Sequence, residues 1–376
     1  MTDREGDWSA PSADVLARIR EVRRAGREAV VATVVAVEGS AYRRPGAKMV
    51  VDREGGGFGH ITAGCLESEV AGLASDVLAA GEPRIERYNL MDDEGDVWGL
   101  GVGCNGIIDV LVEPVDERYD PLVSAVEADE PIASLTVLDG DLPLGTRAYY
   151  RDEEVEGSVP GWFADGIERL AVRVLEDGGS ESVEVAGEAG EATVFADGIR
   201  PDPRLLVIGS GHDVGPVVDL AERNGFHTIV VGFRGGVDLE SRFPEASEHV
   251  STSPARIGDD VDLAGYAVVM THNFVDDRLA VGELLGQLPY VGLMGPPERF
   301  EEMRDAFEEE GRQLNEGELE SLYTPVGLDL GAGSPYGIAT SIVSEILAVH
   351  NGREPAHLAE REGPIHDRRE AELPGE

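Results

Sequence analysis

The sequence predicts an α/β protein in which an N-terminal α+β domain is followed by a doubly wound parallel sheet. Pro201 and Pro203 flank Asp202, and two prolines this close oppose a continuous helix or a central strand. After this point strand and helix patterns alternate, whereas the residues before it mix helices with consecutive strands. We therefore predict domains at residues 1–200 and 201–353, followed by a disordered tail at 354–376 that lacks apolar periodicity.

The N-terminal domain begins with an amphipathic helix at residues 12–25, where apolar residues recur at i, i+3, i+4 and i+7. A second helical stripe at 66–78 starts directly after Cys65. The other elements predicted here are strands at 29–37, 49–52, 107–112, 132–138 and 145–151, a helix at 119–128, and short β runs at 171–175 and 192–195. No internal repeat is predicted.

The C-terminal domain alternates strands with helices, which is typical of a parallel sheet covered on both faces. Its predicted strands are 204–208, 227–231, 249–251, 266–270, 290–293 and 326–330. Its predicted helices are 214–224, 276–287, 297–310 and 334–350. In such a sheet, ligands bind beyond the carboxyl ends of the strands, where the strand order reverses.

A glycine loop follows the first of these strands. Gly209-Ser210-Gly211 precedes a predicted helix, which is the setting of a phosphate-binding loop. The third glycine, Gly215, comes one residue late, and Gly232 stands where a dinucleotide-binding domain carries an acidic residue for the ribose. Arg234 suits a phosphate better than a bare ribose. The loop therefore disfavours NAD and leaves NADP or a phosphate-bearing pterin open.

Polar residues and a glycine follow the other strand ends. They are His212, Asp213, Thr271, His272, Asn273 and Gly295. The first and fourth strands are expected to be neighbours at the switch point, so His212 and His272 should converge there. We interpret the pair as part of a ligand site, although either histidine alone is equally well explained as a residue that braces its loop.

Both cysteines stand beside glycines on predicted loops, as Gly64-Cys65 and Gly103-Cys104. Glycine allows the backbone to approach a ligand closely. The N-terminus of the helix after Cys65 would favour a thiolate and an anionic ligand group. The thiols therefore indicate a site for a soft metal or for sulfur, the alternative being two small residues packed at tight turns.

The charge of the chain is extreme. Asp and Glu number 74 against 31 Lys and Arg, for a net charge of -43, and the acids are spread along the whole sequence. This composition is typical of a halophilic cytoplasm, in which molar salt screens the repulsion. It excludes nucleic-acid binding through a basic face. The sequence also shows no membrane span, signal peptide or disulfide framework, so we expect a cytoplasmic protein.

The densest basic cluster consists of Arg43, Arg44 and Lys48, and Lys48 is the only lysine of the protein. We interpret this cluster as a contact for an anion or a protein partner. The alternative is that the arginines neutralise nearby carboxylates.

In these motifs the chain resembles the XdhC/CoxI family of accessory proteins, which mature molybdenum hydroxylases. The resemblance rests on residues 38–49, Gly64-Cys65-Leu66-Glu67, Gly103-Cys104-Asn105-Gly106, Gly209–Asp213, Thr271–Asn273, 327–331, 345–349 and 351–353. The chain departs from the family pattern at Asn105, where glycine is usual, and at Gly232, where aspartate is usual.

The resemblance implies a Rossmann-like C-terminal domain and a cofactor-insertion chaperone rather than a stand-alone enzyme. Such a protein binds the molybdenum cofactor (molybdopterin), protects it while the metal gains a terminal sulfur, and delivers it to a hydroxylase such as xanthine or carbon monoxide dehydrogenase. The implied partners are the hydroxylase apoenzyme and a cysteine desulfurase, and the implied assembly is a homodimer. Cys65 or Cys104 would contact the molybdenum or its sulfur.

The residues that this interpretation assigns to cofactor binding come from both domains. They are Arg43, Arg44, Gly46, Lys48, Gly64, Cys65, Glu67, Cys104, Gly209, Gly211, His212, Asp213, Arg234, Thr271, His272, Asn273 and Gly295.

Two other functions remain open at this point. An NAD(P)-dependent oxidoreductase is favoured by the glycine loop and strand alternation, but opposed by the loop spacing and Gly232. A sulfurtransferase would carry a persulfide on Cys65. A zinc site is disfavoured, since it needs more thiols or closely spaced histidines than this chain has.

Overall fold

The protein is described from a computed structural model that covers residues 10–39, 41–90 and 106–362. The chain divides into two compact units, Met1–Pro201 and Asp202–Glu376. Each unit has hydrophobic cores of its own, built between its sheets and helices. Within the ranges described, no helix combines the length and the apolar character that a membrane crossing requires.

The N-terminal unit contains two five-stranded antiparallel sheets. Its first half comprises α1 (Ser12–Ala25), β1 (Ala29–Gly39), β2 (Lys48–Asp52), β3 (Gly57–Gly59), α2 (Glu67–Ala80), β4 (Arg84–Asn89) and β5 (Gly106–Pro114). Its second half comprises α3 (Asp120–Ala128), β6 (Ile132–Gly140), β7 (Arg147–Arg151), β8 (Glu154–Glu156), α4 (Gly161–Asp177), β9 (Ser180–Gly187) and β10 (Gly190–Ile199).

These two halves have the same topology, a helix, three strands, a helix and two strands. The sheet orders are β3-β2-β1-β5-β4 and β8-β7-β6-β10-β9, so every strand has a counterpart in the same place. We call residues 12–114 the first repeat and residues 120–199 the second repeat. The expectation that the chain has no internal repeat is therefore wrong at the level of structure.

The strand registers superimpose the repeats residue by residue. Thr33 of β1 pairs with Lys48, and the equivalent Thr136 of β6 pairs with Arg147. Each first strand has a bulge at its seventh residue, Val35 in one repeat and Leu138 in the other. A bulge leaves one residue unpaired and bends its strand. Both bulged residues pack into the same small apolar cluster within the unit.

The helices of this unit follow from apolar spacing and glycine stops. Val15, Ile19 and Val22 are the buried positions of α1, which ends at Gly26 in the left-handed region. Helix α4 overturns the strand predicted at 171–175. Phe163, Ile167 and Val174 recur at helical intervals over a longer window, and their burial determines the structure.

The C-terminal unit is a six-stranded parallel sheet with helices on both faces. Its strands are β11 (Arg204–Ile208), β12 (His227–Gly232), β13 (Glu248–Ser251), β14 (Tyr266–Val269), β15 (Tyr290–Leu293) and β16 (Leu322–Tyr323). Its helices are α5 (Val214–Arg223), α6 (Leu239–Arg242), α7 (Ile257–Asp260), α8 (Phe274–Leu284), α9 (Pro297–Glu309), α10 (Glu316–Glu320) and α11 (Pro335–His350).

The strand order is β13-β12-β11-β14-β15-β16, which is that of a Rossmann-like doubly wound sheet. The predicted fold class is confirmed. The order reverses between β11 and β14, which are hydrogen-bonded neighbours. The strand predicted at 326–330 is wrong, since the last strand is Leu322–Tyr323 and ends before Pro325, which has no N–H to donate.

Candidate functional site

Three connections leave the same end of the first sheet in the N-terminal unit. Residues 40–47 join β1 to β2, residues 60–66 join β3 to α2, and residues 90–105 join β4 to β5. The register places all three at the carboxyl end of β1, because Met49 pairs with Gly59 and Gly39 pairs with Gly106. Arg43, Arg44 and both cysteines belong to these connections.

The second repeat shows that the fold does not need connections of this length. Its counterparts are residues 141–146, 157–160 and the two-residue turn 188–189. Each is shorter than the equivalent in the first repeat, and the longest difference is sixteen residues against two. The extra residues of the first repeat are therefore dispensable for the sheet, which marks this end as the candidate functional site.

Cys65 is half-buried and lies two residues before the start of α2, near the helix N-terminus as the sequence predicts. Its backbone N–H donates to the hydroxyl of Thr62 at 3.0 Å, and its side chain packs beside the apolar cluster of the first sheet. The preceding Gly64 is exposed. The thiol therefore stands at the boundary between core and solvent, next to the N-terminus of a helix.

Glu67 organises this loop from inside. Its carboxylate is buried and accepts hydrogen bonds from the backbone N–H groups of Ile61 (3.2 Å), Thr62 (2.7 Å) and Leu66 (3.1 Å). It also accepts one from the Thr62 hydroxyl at 2.6 Å. The loop folds around one carboxylate, which fixes the backbone on both sides of Cys65.

The charge of Glu67 is stabilised by the same contacts. Burial on its own would raise the pKa of this carboxyl, but the hydrogen bonds from Thr62 and from the backbone outweigh it and lower the pKa. An ionised carboxylate in the first turn also interacts favourably with the helix dipole of α2.

The basic loop, described over residues 41–47, lies beside the cysteine loop. The exposed ring of Tyr42 is 6.3 Å from the ring of His60, and Ala41 packs on the same apolar cluster as Cys65. Arg43 is half-buried and Arg44 is exposed. Two cationic side chains are thus carried on the connection that adjoins the thiol.

Lys48 has partners within the N-terminal unit. Its side chain is 14% exposed, and its ammonium pairs with the carboxylate of Asp197 in β10 and donates to the carbonyl of Gly46 at 3.1 Å. Lys48 is therefore engaged with the second repeat. Its predicted contact with the cofactor stays a prediction.

Cys104 and the preceding Gly103 lie outside the described residues. The chain leaves the sheet at Leu90, whose N–H donates to the carbonyl of Gly106 at 3.0 Å, and it re-enters the sheet there. Within the described ranges, no group of three or more His, Cys, Asp or Glu side chains could hold a metal ion.

The C-terminal unit brings together the strand ends that the sequence singled out. Gly209 directly follows β11, and a side chain there would meet the carbonyl oxygen of Met270 at 2.7 Å, so only glycine fits. Gly215, by contrast, has only ordinary contacts. The first glycine of the loop is therefore required by close packing. Gly215 is not required in this way, so it does not serve as the third glycine of a dinucleotide-binding loop.

His272 and Asp213 meet across the switch point. The Nε2 atom of His272 lies 2.7 Å from Oδ2 of Asp213, and His272 has a left-handed backbone with φ of 59°. Histidine rarely adopts this conformation, and such strain is concentrated at functional sites. The carboxylate of Asp213 stands directly before α5, where a dinucleotide phosphate would have to bind.

The remaining predicted residues brace this edge or lie exposed on it. Asn273 caps α8 by accepting hydrogen bonds from the N–H groups of Val275 and Asp276. The N–H of Thr271 donates to the buried carboxylate of Asp277 at 3.1 Å. Gly295 follows β15, where its backbone φ is 139°. Gly211 is half-buried, and His212 and Arg234 are exposed.

Two functional positions were missed from sequence. Thr62 supplies the hydroxyl that joins Cys65 to Glu67, and Asp277 joins the Thr271 loop to Arg299. Thr62 is the fifth residue before Glu67, and Asp277 is the fourth after the cap Asn273. The cap at Asn273 could have drawn attention to Asp277, whereas the five-residue spacing of Thr62 and Glu67 is not that of a capping box and gives no signal.

Comparison with known proteins places these features in a family. Residues 205–346 match a family described as the XdhC Rossmann domain, and residues 22–89 match the XdhC and CoxI family. A solved crystal structure described as a xanthine dehydrogenase from Bacillus halodurans is similar at a TM-score of 0.74 with 28% sequence identity. The similarity covers 92% of this chain and 97% of that one.

Two curated relatives extend over most of the chain. A protein of Bacillus subtilis, described as a probable subunit of xanthine dehydrogenase, is 28% identical over 85% of this chain and 92% of its own length. The molybdenum cofactor insertion chaperone PaoD of Escherichia coli is 23% identical over 89% of this chain and 87% of its own length. The matched segments include the Gly64–Glu67 loop and the glycine loop of the Rossmann-like unit, and the chain belongs to the XdhC and CoxI family.

Proposed function

We propose that this protein is a maturation factor that binds the molybdenum cofactor as cargo and delivers it to a molybdenum hydroxylase. The observation that carries the proposal is the convergence of the Cys65 loop and the Arg43–Arg44 loop at one end of the first sheet. The names of the relatives from Bacillus subtilis and Escherichia coli support the same role.

The chemistry of the site fits that cargo. The cofactor combines a soft metal centre, whose preferred protein ligand is a thiolate, with an anionic phosphate. Cys65 offers the thiol, and the guanidinium groups of Arg43 and Arg44 offer hydrogen bonds that suit phosphate oxygens. An exposed tyrosine ring, that of Tyr42, is available beside them to stack on a flat heterocycle.

Glu67 has a positioning role in this proposal. Its carboxylate already accepts four hydrogen bonds from its own loop, so it holds Cys65 in place and does not contact the cargo. Among the described residues of the N-terminal unit, we assign the thiol contact to Cys65 and the phosphate contact to Arg43 and Arg44.

The glycine loop of the Rossmann-like unit is a poorer phosphate site than its sequence indicates. The carboxylate of Asp213 lies at the N-terminus of α5 and would repel a phosphate. His212 instead presents an exposed imidazole that suits a pterin edge, whereas the hydroxyl of Thr271 and the Nε2 atom of His272 are already hydrogen-bonded to Asp277 and Asp213. Binding of NADP, and with it an oxidoreductase function, is disfavoured by the same charge.

Finer features of the role belong to the proposal as well. Transfer of a terminal sulfur to the metal would require a sulfur donor such as a cysteine desulfurase, and carbon monoxide dehydrogenase is a further client class. A homodimer belongs to the proposal, and a cytoplasm of high salt would screen the repulsion that the charge of -43 creates. Cys104 is proposed as a second thiol for the cargo.

The proposal is tested by purifying the protein in about 2 M KCl from cells that make the cofactor, and measuring bound pterin and molybdenum. Wild type should retain both, and Cys65→Ser should lose most of the molybdenum while remaining folded. Ser68→Ala, next to the loop but exposed, is the matched control and should retain the cargo.

A second measurement tests delivery. Cargo-loaded protein should activate a hydroxylase apoenzyme in proportion to its cofactor content, and protein stripped of cargo should not. Absence of pterin from wild type, Cys65→Ser and Ser68→Ala alike, with full folding of all three, would overturn the proposal.

A further inference from the structure

The two repeats of the N-terminal unit exchange charged partners. Lys48 begins β2 of the first repeat and pairs with Asp197 of the second, and the equivalent Arg147 begins β7 and pairs with Glu113 of the first. The registers make Glu113 and Asp197 equivalent, since they pair with the third residues of β1 and β6. The contacts are reciprocal about a pseudo-twofold axis.

All four side chains are withdrawn from solvent. The exposed fractions are 14% and 8% for Lys48 and Asp197, and 7% and 1% for Arg147 and Glu113. They line one cavity of about 20 Å³ together with the equivalent threonines Thr33 and Thr136. Ion pairs this deeply buried make directional, costly-to-break contacts, so they fix one repeat against the other.

The Lys48–Asp197 pair also holds the turn before its cation. Lys48 donates to the carbonyl of Gly46, and a side chain at residue 46 would lie 2.2 Å from the hydroxyl oxygen of Ser180. Gly46 has a left-handed backbone with φ of 96°, which favours glycine. The turn at Gly46, which ends the basic loop, therefore contacts both Lys48 and the second repeat.

The second repeat has an equivalent turn glycine, also packed against the other repeat. Gly145, equivalent to Gly46, has φ of 78°, and a side chain there would meet Pro83, the counterpart of Ser180. Its loop, residues 141–146, carries Asp141 and no arginine or lysine. The same scaffold thus supports a cationic loop in the first repeat and a loop without cationic residues in the second repeat.

From this symmetry we propose that Lys48 and Asp197 are positioning residues, through which the second repeat holds Arg43 and Arg44 in the geometry that binds the anionic group of the cargo. The inference rests on the proposed function. It assigns the only lysine of the protein to orientation of the phosphate site and not to direct contact.

Paired substitutions separate this role from stability, because removing both charges leaves no buried charge without its partner. We compare two double variants. One carries Lys48→Met together with Asp197→Asn, and the other carries Arg147→Met together with Glu113→Gln. Cofactor content, cofactor dissociation constant and urea unfolding are measured for both. The first protein should bind the cofactor at least about fivefold more weakly than wild type, and the second should stay within about twofold.

Two further variants complete the test. Lys48→Arg, which keeps the charge, should restore most of the affinity. In a chain that already carries Arg43→Gln and Arg44→Gln, removal of the Lys48–Asp197 pair should change the dissociation constant by less than about twofold, because the residues it positions are gone. Equal losses in the two paired variants, or a full additional loss in the arginine-free chain, would overturn the inference. Wild type that binds no cofactor would instead overturn the proposed function.

Discussion

Glu67 accepts hydrogen bonds from both the backbone N–H and the hydroxyl of Thr62, at 2.7 and 2.6 Å. The same hydroxyl accepts the backbone N–H groups of Cys65 and Leu66. A continuous network therefore runs from the buried carboxylate to the backbone of the cysteine, and the position of the thiol depends on a charge that never reaches the solvent.

Substitution Glu67→Gln should loosen this network. An amide group directed at N–H donors leaves at least one of them without an acceptor, so we expect the free energy of unfolding to fall by about 1–3 kcal/mol. Alkylation of Cys65 should become faster, because the loop opens more often. Urea unfolding and the alkylation rate check both effects. Glu69→Gln, exposed on the same helix, is the control and should change neither.

The charge of Glu67 also predicts the pH dependence of stability. Because its pKa is lowered on folding, the stability it contributes is fully present above the ordinary value of 4.5 and is lost as the pH falls through the lower folded pKa. Wild type should lose this contribution below pH 4.5, whereas Glu67→Gln should not. Unfolding free energies of both proteins from about pH 7 downwards test the difference, and parallel profiles would contradict it.

The Arg147–Glu113 pair predicts a strong non-additivity in stability. Arg147→Met alone leaves Glu113 buried without its partner, so we expect a loss of about 3–5 kcal/mol. Adding Glu113→Gln should recover most of that loss, because the unpaired charge is removed. Urea unfolding of the two single variants and the double variant measures the coupling. Additive losses would show that the pair contributes little.

Asp213 predicts that wild type does not bind NADP(H) with micromolar affinity. Its carboxylate stands at the N-terminus of α5, and a phosphate there would face a like charge. Asp213→Asn keeps the shape and removes the charge, so it should bind NADPH more tightly than wild type. Fluorescence titration in high salt checks this order of affinities, and micromolar binding by wild type would revive the oxidoreductase alternative.

Much of the fold is predictable because local patterns and global packing agree. In the C-terminal unit β11, β12 and β15 are largely apolar runs with a glycine at or shortly after their ends. The alternation of such strands with helices predicts parallel connections, which limits the possible strand orders. Helix α4 was missed because Val172 and Val174 favour a strand locally, while the longer helical spacing of Phe163 and Ile167 decides the outcome.

The duplication and the site contacts lie beyond sequence patterns. Lys48 and Arg147, or Glu113 and Asp197, are chemically similar but not identical, and the connections between them differ in length. Only the registers of four strand pairs reveal that these residues are equivalent. In the same way, the sequence around Glu67 does not indicate that its carboxylate accepts hydrogen bonds from Thr62, because this contact depends on the path of the loop.

The charge of -43 predicts that stability rises with salt. Acidic side chains outnumber basic ones by more than two to one, so screening relieves more repulsion than it removes attraction between exposed pairs. We expect the free energy of unfolding in urea to increase between about 0.2 and 2 M KCl. The buried Arg147–Glu113 pair should contribute equally at both concentrations, because desolvated charges are screened little. A stability that falls with KCl, or that responds equally to an uncharged osmolyte, would contradict the electrostatic origin of the effect.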